Sequence, residues 1–260
     1  MRGTVHATLR HIYLINLDRS PDRLRYMRAQ LDRLPVEVRR IPGVDGNSLI
    51  LDPSLVDEKA FRRRHHAVLR RGEVGCYLSH VKALEQFLKD GHTFCIILED
   101  DVKIGPEFLL TVSDLARSQD KWDVVKLHAT HANGLITRHR FASGTRLVSM
   151  LLRHGSAAAY VVNRKAAESL LSGLLPMTVP YDHEFDRAWK YGLKLRATFP
   201  FPVSRAQFDS TIVGSPLVRA ERVVNRKMHR PWYQQGGMVA FRGANDIARI
   251  FHETIGSLVR

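Results

Sequence analysis

Residues 93–101 read Thr-Phe-Cys-Ile-Ile-Leu-Glu-Asp-Asp, an apolar run that ends on three consecutive acids. A short apolar stretch bounded by Gly91 before it and by Glu99 after it has the pattern of a central strand covered on both faces. The carboxylates of Glu99, Asp100 and Asp101 then stand at the carboxyl end of that strand, where layered α/β sheets bind their ligands. Three adjacent acids repel one another unless something positive neutralises them. A divalent cation would do so, and carboxylate oxygens suit magnesium or manganese, which keep positions open for phosphate oxygens. The plainer alternative is a solvated loop whose acids cap a helix starting near Pro106; the strand-end position favours a site.

Working outward, His11–Leu17 is a second β-rich run, followed by a turn at Asp18-Arg19-Ser20-Pro21 and by helical periodicity from Asp22 to Leu34. Val36–Ile41 reads as another strand, and Gly43–Gly46 turns the chain. Glu73–Lys89 carries apolar residues at Val74, Tyr77, Leu78, Val81, Leu84 and Leu88, a spacing of three and four that describes one buried helix face. Trp122–Leu127 and Ala157–Val162 read as strands, and Arg164–Leu171 and Asp182–Tyr191 as helices. This alternation predicts an α/β layered sheet. Between Asn47 and Arg71 the periodicity weakens, and the run Arg62-Arg63-Arg64 reads as part of a mobile basic segment. From Leu217 onward the chain is basic, with Asn245 as the expected cap of a helix carrying Ile247, Ile250, Phe251, Ile255 and Leu258 on one face.

At 260 residues and 44% apolar content, one domain with a substantial core is the expectation. Lysine and arginine number 40 against 26 acids, a formal charge of +14, so the surface attracts polyanions. A nucleic acid, an anionic membrane, a phosphorylated glycolipid and a nucleotide diphosphate all satisfy that balance. No apolar run approaches a membrane span and Met1–Arg10 lacks a signal-like segment, from which a cytoplasmic protein is expected. Cys76 and Cys95 lie in apolar stretches without metal-ligand spacing and read as buried thiols.

Other residues fit around the acid triplet. Asn16, Arg19 and Arg23 follow the first strand, where guanidinium forks can grip a diphosphate and an amide can contact a base or sugar. Taken singly, Arg23 also fits an ordinary helix surface. Gly75, Ser79 and His80 lie on the long helix; the glycine serves close packing or ligand access, and the other two bind a hydroxyl or phosphate or form a buried pair. Tyr181-Asp182-His183-Glu184-Phe185-Asp186 is a second acid cluster at a helix start, which the helix dipole explains only in part. Transfer chemistry needs such a remote carboxylate if one group holds metal and another takes a proton.

Ile12–Ser20 with Asp22-Arg23, Gly75–His80 with Ala83, and Leu98–Val102 resemble the motifs of glycosyltransferase family 25, the lipooligosaccharide galactosyltransferases and collagen galactosyltransferases. Gly155-Ser156 with Ala158–Tyr160 and Ala166, Asp182–Glu184 and Asp209–Ile212 extend the likeness over roughly residues 11 to 213. The resemblance implies an α/β, GT-A-type Rossmann-like layered sheet over residues 1–215, with a basic C-terminal extension over 216–260. It implies an inverting enzyme that moves a hexose, galactose by the likeness, from a UDP-sugar to a glycan or glycolipid acceptor in lipopolysaccharide synthesis. By the same likeness Asp101, with Glu99 or Asp100, holds Mn2+ or Mg2+ and the ribose, while Asn16, Arg19 and Arg23 line the nucleotide side; Gly75, Ser79, His80, Glu99 and Asp100 complete the donor-binding candidates, with Asp101 and Asp100 as the expected metal pair. Asp182 is expected as base, with Glu184 orienting the acceptor or exchanging roles with it, and His183, kept protonated by its acidic neighbours, as a structural residue or a phosphate contact. A cytoplasmic enzyme peripheral to the anionic inner membrane follows, with no nucleic-acid partner. The competing classes are a metal-dependent nuclease built on Glu99, Asp101 and Lys103, and a non-catalytic polyanion- or membrane-binding module; dinucleotide and P-loop enzymes lack their glycine motifs here.

Overall fold

The computed structural model describes residues 11–65, 67–208 and 232–254, the last helix by its backbone alone up to residue 238. The first half runs β1 (His11–Asn16), α1 (Pro21–Leu31), β2 (Glu37–Pro42), α2 (Glu58–His65), α3 (Arg71–Asp90), β3 (Phe94–Glu99), β4 (Val102–Ile104) and α4 (Phe108–Ala116). The second runs β5 (Val124–Lys126), β6 (Leu135–Arg140), β7 (Arg146–Met150), β8 (Ala159–Asn163), α5 (Arg164–Leu171), α6 (Tyr181–Phe185), β9 (Leu195–Phe199), β10 (Val203–Arg205) and α7 (Trp232–Thr254).

Eight strands form one sheet in the order β2-β1-β3-β8-β5-β9-β7-β6, and β10 pairs with β4 beside it. β7 and β8 run against the other six, so the sheet is mostly parallel in direction and the expected Rossmann-like α/β layering is present. Alternation along the strands builds two cores. Tyr13, Ile15, Cys95 and Ile97 face α3 and α5. Ile12, Leu14, Ile96 and Leu98 face α1 and α4. On α3, Val74, Tyr77, Val81 and Leu84 are buried as their spacing predicts, and left-handed Gly91 ends the helix.

This topology gathers one edge. The carboxyl ends of β1, β3 and β5 lie together, and antiparallel β8 begins there, with Ala159 opposite Leu98 and Tyr160 opposite Lys126. Asn16, Glu99, His128 and Ser156 are thereby delivered to the same rim from four separate places in the sequence.

Three expectations change. The basic run Arg62–Arg64 is helical in α2, because Ala60 and Phe61 anchor it by burial. The helix expected over Asp182–Tyr191 stops at Phe185 and resumes as a 3-10 turn over Ala188–Tyr191. Asn245 is not a helix cap: α7 is continuous through it, and its amide donates to Phe241 O at 2.5 Å. The inward side of α7 is polar, since the strands beneath offer Ser149 and Arg196 to Glu253 at 2.5 and 2.7 Å. Its apolar side, with Val239, Ile247 and Phe251, points outward. Ile255, Leu258 and the Asp209–Ile212 motif lie outside the described residues.

Gly75 explains how α3 meets the turn after β2. A β-carbon there would lie 2.5 Å from Val44 O and 2.7 Å from Gly46 N, both backbone atoms that cannot swing away. Gly75→Ala is expected to destabilise the protein by about 1–3 kcal/mol, measured by urea unfolding; wild-type stability in that variant would show that the turn yields freely.

Candidate active site

The acid triplet is distributed among separate partners. Asp100 turns inward: Asn16 Nδ2 donates to its Oδ2 at 2.7 Å and Arg23 Nη1 to its Oδ1 at 3.0 Å. Asn16 also donates to Ser20 O and accepts from Arg40 Nε at 3.0 Å, tying the end of β1 to α1 and β2. Both Asp100 oxygens thus brace the first two motifs in this structure. Glu99 lies between His80 Nε2, 3.2 Å away, and Arg205 Nη1 at 3.1 Å, and the same Nη1 contacts Asp101.

Glu99 and Asp101 therefore converge on one positive centre. Burial opposes ionisation of Glu99, but the His80 hydrogen bond and the Arg205 charge more than offset it and hold the carboxyl at about 2. Asp101 is pushed upward by burial and by the Glu99 charge, against the pull of Arg205 and Arg23. Two hard carboxylates directed at a single centre suit Mn2+ or Mg2+, with the guanidinium displaced. Cys76, His80 and Glu99 offer a second donor set, with one ligand atom each within 4.8 Å of the others. Burial drives the Cys76 thiol well above its ordinary range, so a cation on that set would have to displace the thiol proton, whereas the oxygen pair offers two hard donors without one.

These residues line an open cleft with Arg19, Arg23, Ser79, Gly46 and Gly72. Ser79 Oγ accepts from Val44 N at 2.8 Å and donates to Gly75 O at 2.6 Å, so it holds the cleft wall together. Gly75 is absent from the lining and acts through packing. His80 is locked in place: Nδ1 meets Tyr160 OH at 3.1 Å and its ring stacks on Tyr181 at 4.1 Å.

The second acid cluster divides. Asp182 accepts from Ser156 N at 3.4 Å and from His183 N at 3.0 Å, and its charge is felt at Cys76 in the cleft. Glu184 does not join it. Its buried carboxylate takes Arg187 at 2.7 Å, Lys190 at 2.9 Å and Tyr191 OH at 2.8 Å, a structural hub that corrects its expected role toward the acceptor. His183 is also corrected: burial outweighs Asp182 and Asp186, and with Arg153 and Arg242 nearby its pKa falls below the usual value, leaving it neutral at neutral pH.

Residues 155 and 156 both adopt left-handed backbone, with φ of 60° and 63°. For Ser156 this costs roughly 1–2 kcal/mol. Lys126, fully buried, clamps the turn by donating to Gly155 O at 2.9 Å and Ser156 O at 2.7 Å while paired with Asp186. Ser156 Oγ meets His128 Nδ1 at 3.0 Å. Burial, then Arg205 and Lys126, lower the His128 pKa to about 4, so a neutral imidazole sits between the two acid clusters.

Sequence reasoning passed over Arg205 and His128, and read Cys76 only as a buried thiol. His128 follows a strand end, a signal that was there to use. Arg205 sits on a three-residue strand whose pairing with β4 no local pattern announces.

The fold is a Rossmann-like α/β layered sheet with an acidic cleft at the carboxyl ends of its strands. Residues 9–185 match the family model described as "Glycosyltransferase family 25 (LPS biosynthesis protein)", and the chain belongs to that family. A "Glycosyltransferase 25 family member" of Drosophila pseudoobscura pseudoobscura is 33% identical over 128 residues, 45% of this chain and 20% of that protein. The human "Inactive glycosyltransferase 25 family member 3" is 29% identical over 131 residues, 47% of this chain and 22% of its own length. The matched segment thus spans about a fifth of each curated relative. A solved structure, mannose-1-phosphate geranyltransferase from Thermus thermophilus, aligns over 76% of both chains at 10% identity and a TM-score of 0.32, too remote to carry an argument.

A folded-state Glu99 pKa of about 2, below that of an unfolded glutamate, contributes stability fully present above roughly pH 4.3 and lost as pH falls toward 2. Glu99→Gln is expected to flatten the pH dependence of unfolding free energy in that window. An unchanged slope would show that Glu99 titrates normally.

Proposed function

We propose that this chain is an inverting glycosyltransferase that moves a hexose, galactose in our reading, from a UDP-sugar to a glycan acceptor in lipopolysaccharide synthesis. The convergence of Glu99 and Asp101 on one positive centre, at a sheet edge shared with Asp182, carries the reading. A catalytic unit over 1–215 and a basic extension over 216–260 belong to it.

In this reading the diphosphate lies along Arg19, Arg23 and Arg205, with Asn16 and the Ser79-braced wall forming the nucleoside side. Glu99 and Asp101 would hold the cation, Mn2+ or Mg2+, which when bound offsets charge on the leaving diphosphate. The acceptor hydroxyl attacks the anomeric carbon from the face opposite UDP. A new carbon–oxygen bond forms, the bond to the β-phosphate oxygen breaks, UDP leaves with the electron pair, and Asp182 takes the hydroxyl proton. Neutral His128 and the clamped Ser156 turn orient the acceptor beside that carboxylate. Asp182→Asn is expected to lower transfer by roughly 100-fold or more with UDP-sugar affinity within about twofold of wild type. Asp101→Asn should abolish the response of UDP release to added Mn2+. Transfer by Asp182→Asn within a few-fold of wild type would remove the base assignment.

Attachment to an anionic bilayer completes the reading. No described helix is long and apolar enough to cross a membrane. Val239, Ile247 and Phe251, 62%, 69% and 61% exposed, form an outward apolar stripe on α7, and α2 carries Arg62, Arg63 and Arg64. Each well-placed cation contributes about 1 kcal/mol toward anionic lipid. Co-sedimentation with anionic vesicles is expected to exceed that with neutral vesicles and to fall with salt; equal binding to both would contradict it.

A further inference from the structure

A second cleft opens where α7 crosses α2 and α6, and neither the donor site nor the proton transfer uses it. Five arginines line it, Arg64, Arg153, Arg187, Arg242 and Arg249, against two aspartates, Asp186 and Asp246. The aspartates are already balanced. Asp186 is paired with Lys126 and lies 2.9 Å from His154 Nδ1, and Asp246 holds Arg249 at 2.9 Å. Of the arginines, Arg187 is offset by Glu184 at 2.7 Å and Arg249 by Asp246, while Arg64 and Arg153 have no carboxylate partner among the described residues, so the lining keeps an excess of positive charge.

Arg64 comes from α2, Arg242 and Arg249 from α7, and Arg153 and Arg187 from connecting segments; Arg64, Arg187 and Arg249 are held in orientation. Arg64 donates to Thr178 Oγ1 at 2.6 Å, and the guanidiniums of Arg64 and Arg187 lie 5.9 and 5.4 Å over the ring of Phe241. Arg153 and Arg242 both act electrostatically on His183 in the cleft wall. His183 is bonded directly to Asp182, whose side chain accepts its backbone N–H. The cleft therefore begins one residue from the carboxylate to which the acceptor hydroxyl is assigned.

We propose that this cleft is an anion subsite that binds a phosphoryl group carried by the acceptor. Guanidinium forks converging from several elements match the several oxygens of a phosphate monoester better than the single plane of a carboxylate. Its dianionic charge matches the excess of the lining. The subsite selects acceptors bearing a phosphate near the hydroxyl that reacts, and it rests on the reading of Asp182 as the acceptor-side base.

The test is calorimetric titration of the full chain, with the donor cleft saturated by UDP, using glucose 6-phosphate, inorganic phosphate and glucose. Both phosphates are expected to bind and glucose not to. Arg153→Gln/Arg242→Gln should weaken phosphate binding roughly tenfold or more, by loss of charge-assisted hydrogen bonds, with UDP affinity within about twofold of wild type. Arg153→Lys/Arg242→Lys should retain most of the binding, which separates lost charge from lost folding. Phosphatidate vesicles distinguish the source: binding lost in the glutamine variant assigns a lipid headgroup, and binding kept while glucose 6-phosphate binding is lost assigns a soluble phosphorylated sugar. Equal phosphate binding by wild type and the glutamine variant, or none by wild type, would overturn the subsite. Failure of UDP itself to bind would count against the glycosyltransferase reading and leave the comparison of arginine variants intact.

Discussion

Three adjacent carboxylates at the end of a buried strand are the constraint around which this protein is arranged. Left alone they would repel and resist ionisation in the low-dielectric edge of the sheet. Asn16 and Arg23 take Asp100, His80 takes one side of Glu99, and Arg205 spans Glu99 and Asp101. Each partner comes from a different element, β1, α1, α3 and β10. Neutralising the triplet therefore also ties the first strand, both flanking helices and the β4–β10 pair to β3. One set of interactions serves folding and shapes the acidic cleft.

The opposite rim of the same edge is built on a similar principle with the signs reversed. Lys126 is a fully buried cation, and its three protein partners, Asp186 and the carbonyls of Gly155 and Ser156, compensate its desolvation. Removing one member of such a network strands the others without partners. The network holds a left-handed turn in place, and that turn presents Ser156 to His128 and Asp182. Strain concentrated there, beside titratable groups, is the pattern expected of a site whose geometry is maintained by its surroundings.

Much of this was legible in the sequence where a single element carries the signal. The apolar run of β3, the alternation in β1 and the spaced face of α3 each state their own burial. The acid triplet and the arginine of α1 were read correctly as neighbours, because strand order in an α/β sheet brings their ends together. What escaped depends on contacts remote in sequence. Glu184 looks like a second catalytic acid until Arg187, Lys190 and Tyr191 are seen to occupy it. His183 looks protonated from its acidic neighbours, yet burial and two arginines reverse the sign. Arg205 and the polar inner side of α7 have no local pattern at all, since their partners lie about a hundred residues away.

The central claim is that the acidic edge binds a nucleotide-sugar diphosphate through a divalent cation. It is tested most directly by incubating the full chain with a panel of UDP-hexoses and UDP-N-acetylhexosamines, with Mn2+ or with chelator, and measuring release of UDP. The account predicts UDP release from at least one UDP-sugar, UDP-galactose foremost, that depends on Mn2+ and ceases with chelator. UDP release that is unaffected by chelator, or no release and no binding of any UDP-sugar in the presence of Mn2+, would contradict it.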